Sequence, residues 1–375
     1  MDFTFNEEQS LIQDQVDQFI QKEYDWETRQ SLSNSEMGFG KENWQKFAEL
    51  GWLGISVSEE SGGFGGSAIE SMLIMEAFGK GLVVEPFLET MIMSGGLIDD
   101  FGSDEQKSSI LEPAVAGEMQ LALAYAEPQS RFNLSDVVTE AKSDGDNFIL
   151  NGYKSVVMNG PSANKILISA RTSGSQLDED GISIFIVDAE ADGLIKTNYK
   201  TVDGKRASDL TIENVKVSKE DVIGKLDSGF EILDSAIDKA ILAISAEAVG
   251  AMEVLYKTTV EYSKTREQFG TAIGKFQVLQ HRMVDMFMEY EQCKSLLYMA
   301  TMKHEEGAED SKKAISGLKY QVGKAGKFIG QQAVQLHGGM GVTDELNVGH
   351  YFKRLTTVGT IFGNTDYHLK KYTSL

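Results

Sequence analysis

The sequence predicts an α+β fold in which two helical regions flank a β-rich one. Apolar residues recur every three or four positions in the first third of the chain and again after Gly229. Between these regions, from about Leu121, short apolar runs are separated by turn signals. This change of period divides the chain into a helical domain of residues 1–120, a central β domain of residues 121–228 and a C-terminal helical domain of residues 229–375.

The N-terminal region begins with a clearly patterned helix. Between Phe5 and Tyr24 the apolar positions follow one helical stripe, and Asn6 with Gln9 predicts a capping box at its start. The glycine-rich stretch Ser61–Gly66 predicts a surface loop. Further helical patterns cover three segments: Trp44–Leu50, Ile69–Phe78 and Leu88–Ile98.

The central region contains runs that are typical of strands. Phe148–Leu150 is followed by Asn151-Gly152, a dipeptide that favours a hairpin turn. Further strands are predicted at Lys165–Arg171, Ile182–Val187 and Leu210–Val217. The helical period then returns in three long segments: Ile232–Ser263, Phe276–Glu305 and Lys312–Leu336.

The composition excludes several classes of function. The 375-residue chain is 41% hydrophobic and 25% charged, which is ordinary for a globular protein. Its formal net charge of -22 would repel a polyanion, so nucleic acid is a poor partner. Cys293 is the only cysteine and histidines are few, which predicts neither an internal disulfide nor a metal site. Because no apolar run reaches the roughly 18 residues of a membrane span and no signal sequence is recognisable, we expect a cytoplasmic protein.

Two of four short motifs lie in the middle of the chain. Tyr125–Pro128 ends a strand-like run, and its Glu-Pro pair is equally typical of a turn. Arg266–Gly270, followed by Phe276-Gln277, lies where one long helix gives way to the next. A guanidinium beside a helix N-terminus suits a diphosphate, whereas a capped turn with a solvated arginine explains the same pattern.

The other two motifs lie near the C-terminus. Gln335–Gly341 is rich in glycine, which lets a ligand approach the backbone, although a helix C-cap explains the run nearly as well. The last motif is Tyr351–Arg354 followed by Ile361–Thr365. Its cations, Lys353 and Arg354, suit either phosphate binding or salt bridges within a helical bundle, and we favour the salt bridges.

Together and in this order, the motifs resemble the acyl-CoA dehydrogenase family over nearly the whole chain. The shared elements are the Glu-Pro pair, the segment Asn151–Lys154, Arg266–Gly270 and Gln335–Gly339. The resemblance implies N-terminal helices, a central β-barrel-like domain and a C-terminal four-helix bundle. It also implies FAD, an acyl-CoA substrate, an electron-transfer flavoprotein as redox partner, and tetramers in which a neighbouring subunit completes each FAD site. Within the family, the chain looks most like the small subunits of pimeloyl-CoA dehydrogenase and the related steroid side-chain enzymes, several of which are heterotetramers.

The resemblance also implies which residues form the FAD site. Residues expected against the isoalloxazine ring come from the central domain: Tyr125, Ala126, Val156 and Met158. Residues expected near the rest of the cofactor come from the C-terminal domain: Arg266, Phe269, Gln277, Gln335, Gly338, Gly339 and Thr365. Of these, Arg266 and Phe269 would reach the FAD of a neighbouring subunit. The family usually has tryptophan and threonine where this chain has Val156 and Met158, so we expect weaker flavin binding or a different flavin potential.

The catalytic base is where this chain departs furthest from the family. Many relatives have a glutamate at the position of Gly363, and others have one at the position of Ala240, so neither position is acidic here. Glu247 lies on the same helical face as Ala240, and small apolar neighbours would raise its pKa, which makes it the predicted base. The alternatives are a structural Glu247 that pairs with a cation or points to water, Asp238 as the base, and no base within this chain. Gly363 retains the N–H that binds the thioester oxygen in the family, and its missing side chain predicts room for a bulky acyl group.

The activity implied by the resemblance is desaturation of an acyl-CoA thioester between its α and β carbons. A carboxylate removes the α-proton while flavin N5 accepts the β-hydride. Two alternatives stay open from sequence: a catalytically weak subunit that completes the FAD site of a partner, and an acyl-CoA oxidase that passes its electrons to oxygen.

Overall fold

The computed structural model describes residues 5–375, with helices at both ends of the chain and a sheet between them. The expected order of helix, strand and helix is confirmed. The chain divides into two compact units. We call residues 5–31, Ala68–Val83 and Ile241–Leu375 the helical unit, and we call Leu32–Ser67 and Val84–Ala240 the sheet unit.

The N-terminal helices follow the predicted pattern closely at their start. The Asn6 side chain accepts a hydrogen bond of 2.8 Å from the Gln9 N–H, and Gln9 returns one of 3.1 Å, so the predicted capping box is confirmed. Leu88–Gly95 and Lys107–Leu111 are wound as π-helix, wider than the α-helical pattern predicted for the first of them. The α-helices are α1 (Glu7–Glu23), α2 (Trp26–Asn34), α3 (Lys41–Glu49), α4 (Ala68–Gly81), α5 (Gly96–Phe101), α6 (Asp104–Gln106) and α7 (Glu112–Val115).

The central strands form one sheet over a continuous apolar core. The strands are β1 (Leu121–Ala124), β2 (Glu140–Asp144), β3 (Asn147–Met158), β4 (Lys165–Arg171), β5 (Ile182–Asp188), β6 (Leu194–Lys200), β7 (Arg206–Ser218) and β8 (Val222–Ile223). They are ordered β6-β7-β3-β2-β4-β5-β8, with β1 parallel to β4. Alternate residues of β3, β4, β5 and β7 fill the core, as the strand pattern requires. The predicted strands at β4, β5 and β7 are confirmed, whereas β2 and β6 escaped prediction because most of their side chains are polar and exposed.

The predicted hairpin turn at Asn151-Gly152 is wrong. β3 runs straight through this dipeptide, and the turn between β2 and β3 lies at Gly145-Asp146 instead. Asn151 accepts a hydrogen bond of 2.8 Å from the Asn214 N–H at a shift of register between β3 and β7. Gly152 lies so close to Thr139 that a Cβ would fall 2.5 Å from the threonine hydroxyl. The glycine therefore serves a close approach within the sheet, not a turn.

The C-terminal helices are long, and one of them contacts α4 backbone to backbone. They are α8 (Gly229–Thr265), α9 (Gln277–Glu305), α10 (Ser311–His337), α11 (Val348–Val358) and α12 (Thr365–Ser374), with the short strands β9 (Glu267–Gln268) and β10 (Thr271–Ala272) between α8 and α9. A Cβ on Gly79 would lie 1.9 Å from the Glu247 carbonyl oxygen, and one on Gly250 would lie 1.9 Å from that of Glu76. Glycine is required at both positions, because any side chain would push α4 and α8 apart.

Three findings concern membrane spanning, the lone cysteine and metal binding. No helix within residues 5–375 combines the length and the apolar character that a membrane span requires. Cys293 is buried in α9, and burial raises the pKa of its thiol. Within residues 5–375, no three His, Cys, Asp or Glu side chains are arranged to hold a metal ion.

Candidate active site

Four of the predicted flavin-contacting residues come together in the sheet unit. Tyr125 and Ala126 follow β1, while Val156 and Met158 lie near the end of β3. The Ser155 N–H donates a hydrogen bond of 2.9 Å to the Ala126 carbonyl, which holds the two segments side by side. Val156 is 53% exposed, so an apolar surface is presented here without a protein side chain to cover it.

The backbone of this region is strained at Val156. Its φ is 53°, a left-handed conformation that a β-branched residue rarely adopts. The strain coincides with a β-bulge, since the register of β3 against β7 shifts between Lys154 and Val157. Asn159, just beyond β3, has a φ of 59°. Strained positions that surrounding structure maintains are typical of binding sites.

A buried ion pair anchors the segment that follows Ala126. Glu127 accepts a hydrogen bond of 2.7 Å from the Lys154 Nζ, and both side chains are almost fully buried. The N–H groups of Val138 and Thr139 also donate to Glu127, at 2.8 and 3.0 Å. Burial alone would raise the pKa of Glu127, but the charge of Lys154 and the hydrogen bonds lower it to about 2. Glu127 is thus an internal anchor of the sheet and not a solvent-facing turn residue.

In the helical unit, β9 and β10 form a short exposed hairpin. Its two-residue turn, Phe269-Gly270, has φ values of 55° and 76°, as a type I′ turn requires. The Phe269 side chain is 93% exposed, and its ring meets that of Phe276 at a centroid distance of 6.3 Å. Arg266 and Gln277 are exposed beside this pair, and the Arg266 guanidinium has no ion-pair partner among residues 5–375. The structure therefore brings Arg266, Phe269 and Gln277 together on one projection.

The glycine run after α10 leaves the backbone open. The Gln335 carbonyl accepts the Gly338 N–H, which caps the helix, so the predicted C-cap is present. Gly338 has a φ of 62°, and a Cβ on either Gly338 or Gly339 would meet no atom within 4 Å. The cap and an approachable backbone therefore coexist at this position. His337 is buried and stacks on Tyr262, with the ring centroids 4.2 Å apart.

The segment between α11 and α12, residues 359–364, forms a corner that two buried side chains of the helical unit hold in place. The buried Lys319 Nζ donates to the Val358 carbonyl at 2.7 Å and to the Gly363 carbonyl at 3.0 Å. The His368 Nε2 donates to the Phe362 carbonyl at 2.9 Å. Burial lowers the pKa of Lys319 to about 7 and that of His368 to about 4. Both side chains fix the peptide groups on either side of Gly363.

The predicted extra room at Gly363 is wrong. The φ of Gly363 is 114°, and a Cβ there would lie 2.5 Å from both the His368 Nε2 and the Tyr367 Cδ1. The volume that a side chain would take is thus filled by the first turns of α12. The Gly363 N–H has no hydrogen-bond partner within residues 5–375, so it remains free to bind an oxyanion. Thr365 begins α12, with its methyl group facing Gly323 of α10.

Glu247 is buried as predicted, but its expected apolar surroundings are wrong. The Arg354 Nε and Nη2 donate to its two carboxylate oxygens at 2.6 and 2.7 Å. Glu247 is 2% exposed and Arg354 is 4% exposed. This bidentate ion pair matches the alternative in which Glu247 pairs with a cation. It also confirms the prediction that Arg354 forms a salt bridge. Glu247 as the base remains a prediction, but an ion pair of this geometry disfavours taking up a proton.

Comparison with known proteins identifies the family. The chain matches the models of the acyl-CoA dehydrogenase N-terminal domain over residues 6–118, the middle domain over residues 122–215 and the C-terminal domain over residues 227–372. The caffeyl-CoA reductase–Etf complex subunit CarC of Acetobacterium woodii is 30% identical, with 96% of each chain covered. The short-chain specific acyl-CoA dehydrogenase of Clostridium acetobutylicum is 30% identical, with 93% of this chain and 92% of the relative covered. The ChsE4–ChsE5 complex from Mycobacterium tuberculosis contains a chain that superposes with a TM-score of 0.91 at 25% identity, over 100% of this chain and 98% of that one.

The chain therefore belongs to the acyl-CoA dehydrogenase family, oxidoreductases that act on CH–CH groups with FAD as cofactor. The residues present fit that cofactor. Val156 and Phe269 offer exposed apolar surface to a flat ring, the unpaired Arg266 suits a phosphate, and the open backbone at Gly338 and Gly339 admits close approach.

Sequence analysis did not single out Lys319 or His368. A signal for Lys319 existed, because this lysine interrupts the apolar stripe of Ile315 and Val322 on α10. No comparable signal existed for His368, whose role depends on how the chain turns at Gly363. Such a turn is visible only in three dimensions.

We predict that Glu247→Gln destabilises the protein by about 3–5 kcal/mol, because the buried Arg354 guanidinium loses its counter-charge. The measurement is the free energy of unfolding in denaturant. Replacing both partners, Glu247→Leu with Arg354→Met, is expected to recover most of the loss, since an apolar pair of similar volume leaves no charge uncompensated. A Glu247→Gln protein as stable as the wild type would contradict the structural role.

We also predict that Gly363→Ala destabilises the protein by roughly 2–4 kcal/mol, because alanine is strained at this φ and its methyl group meets His368 and Tyr367. Gly339→Ala is the matched control for stability, since its Cβ enters open space. Combining Gly363→Ala with His368→Ala is expected to relieve only the part of the clash that involves His368, because the contact with Tyr367 remains. Equal stability of the two single variants would show that the corner is less tightly filled than described.

Proposed function

We propose that this chain desaturates acyl-CoA thioesters as one subunit of a hetero-oligomer, in which a homologous chain supplies the carboxylate that removes the α-proton. The observation that carries the proposal is the Glu247–Arg354 ion pair. With glycine at position 363 and alanine at position 240, this pair occupies Glu247, the carboxylate predicted to act as base. The alternative base, Asp238, is buried on the same helix, nearer to its start. The chain keeps the segments Arg266–Gly270 and Gln335–Gly339 that resemble the family's site, while positions 240, 247 and 363 offer no unpaired carboxylate.

The chemistry divides between two reacting hydrogens. The α-proton passes to a carboxylate base, and FAD, when bound, accepts the β-hydrogen as a hydride, so the acyl group loses two hydrogens and two electrons. Negative charge develops on the thioester oxygen as the α-proton leaves. The unpartnered Gly363 N–H is suited to bind that oxygen, and its peptide group is oriented by His368 through the Phe362 carbonyl. An N–H held in place before the reaction stabilises this charge without reorganising.

The hairpin of β9 and β10 supports an assembly in which subunits share FAD sites. Phe269 is a large apolar side chain exposed to 93%, held in a strained conformation at the tip of the hairpin. A ring that projects in this way can bury a large apolar area against a neighbouring chain. We assign Arg266 and Phe269 to a neighbour's FAD, with Gln277, Gln335, Gly338, Gly339 and Thr365 contributing around the diphosphate and adenosine. The ChsE4–ChsE5 complex, which combines two differently named chains, supports a hetero-oligomer.

We further propose an electron-transfer flavoprotein as the redox partner. The name of the relative CarC places that protein in a complex with Etf. The same name calls it a reductase, so reduction of an enoyl-CoA is the second candidate reaction at the same site. An acyl-CoA oxidase is the third, and release of hydrogen peroxide with no carrier present would identify it.

The test is purification of the chain alone and together with a homologue that has glutamate at the position matching Gly363 or Ala240. We expect the co-purified complex to be yellow and to bleach when a panel of acyl-CoA thioesters is added without oxygen. The chain alone is expected to contain less FAD and not to bleach. The measurements are flavin absorbance and molar mass by light scattering.

A matched control uses Phe269→Ala in this chain, with the homologue unchanged. If the hairpin completes a neighbour's site, this variant is expected to lower the FAD content of the complex without changing the stability of the isolated chain. Substrate-dependent bleaching of the isolated wild-type chain, at a rate similar to that of the complex, would refute the proposed division of labour.

A further inference from the structure

The flavin-facing bulge of β3 is held by one acidic side chain from the neighbouring strand. Asp209 of β7 lies opposite the bulge, where the register between β3 and β7 shifts. Its Oδ1 accepts a hydrogen bond of 2.9 Å from the Val156 N–H. The side-chain carboxylate thus supplies the acceptor that a regular strand would obtain from its partner's backbone.

Two tyrosines fix the orientation of this carboxylate. The Tyr199 hydroxyl donates to Oδ1 at 2.9 Å, and the Tyr153 hydroxyl donates to Oδ2 at 2.8 Å. Burial alone would raise the pKa of Asp209, but the hydrogen bonds from Val156, Tyr153 and Tyr199 lower it below its ordinary value. The carboxylate therefore stays charged at neutral pH and is a strong acceptor for the Val156 N–H.

The conformation that Asp209 maintains is an unfavourable one for valine. A φ of 53° brings the branched side chain of Val156 close to its own backbone, and a strained residue persists only where its surroundings hold it. Of the two flavin-facing segments, the second is held to the first by the Ser155 N–H on the Ala126 carbonyl. The bond to Asp209 follows one residue later. Together the two bonds determine how Val156 is presented.

We propose that Asp209 is a positioning residue for FAD, which sets the shape of the bulge against which the isoalloxazine ring binds. The inference rests on the proposed function in one respect, namely that Val156 contacts the flavin. Asp209 itself need not touch the cofactor. Its effect passes through the Val156 N–H, so its importance depends on the strain at that residue.

The test measures FAD affinity of the apo-protein by quenching of flavin fluorescence, with the visible circular dichroism of the bound flavin as a second readout. Asp209→Ala is expected to weaken FAD binding roughly 10- to 100-fold, the effect of losing a hydrogen bond to a charged group. Asp209→Asn keeps an acceptor oxygen and is expected to stay within roughly threefold of the wild type. The control is Asp188→Ala on β5, which removes a carboxylate that accepts from Glu190 and Lys165 and leaves β3 and β7 unchanged.

A double-mutant comparison separates positioning from general stability. Val156→Gly removes the strain, because glycine adopts a positive φ without a steric clash, so Asp209→Ala should then weaken FAD binding by less than roughly threefold. Should Asp209→Ala fail to fold alone, the proposal requires Val156→Gly to restore both folding and FAD binding. Unchanged affinity in Asp209→Ala, an equal loss in both backgrounds, or no restoration would overturn the proposal. A wild-type chain that binds no FAD, alone or with its partner, would instead overturn the proposed function.

Discussion

The close crossing of α4 and α8 is the constraint on which the helical unit depends. Gly79 and Gly250 let each helix reach the carbonyl of a glutamate on the other, at Glu247 and Glu76. Both glutamates are then too deeply buried to be solvated, and each needs a cation. Arg354 of α11 pairs with Glu247, and Lys294 of α9 lies 3.2 Å from Glu76. Two further helices, α9 and α11, therefore each supply a cation to one of these carboxylates, because an unpaired buried carboxylate would be strongly unfavourable.

This constraint explains how an acidic residue on the helix predicted to carry the base can have a structural role instead. In sequence, Glu247 has small apolar neighbours and matches the environment of a base with a raised pKa. Its counter-ion lies 107 positions later in the chain, on a different helix. The corner at Gly363 shows the same principle, since its filling comes from Tyr367 and His368 and its anchoring from Lys319. In both places a residue's chemistry is decided by a partner distant in sequence or by a turn of the backbone.

The fold could be predicted far better than the site. Helices such as α8 and α10 and strands such as β4 and β5 follow from local periodicity, which does not depend on distant residues. Asn151-Gly152 failed as a turn signal because tertiary pairing with β7 overrode local preference, and the polar β2 and β6 carry no strand pattern. The sequence was sufficient to group Arg266 with Phe269, because these residues lie close together in the chain and share one hairpin. The supports of the site, Asp209, Lys319 and His368, escaped because each acts on a backbone group of another segment.

Exchange of the acyl α-hydrogen with deuterium oxide, followed by mass spectrometry, distinguishes a base within this chain from one that a partner supplies. An enzyme that removes the α-proton with its own carboxylate catalyses this exchange even when hydride transfer is blocked, as with a thioester whose β carbon carries no hydrogen. If a partner supplies the base, the FAD-loaded chain alone shows no exchange, and the complex shows exchange that Glu247→Gln leaves unaffected in folded material. Exchange by the chain alone that Glu247→Gln abolishes, with the fold intact, would contradict it.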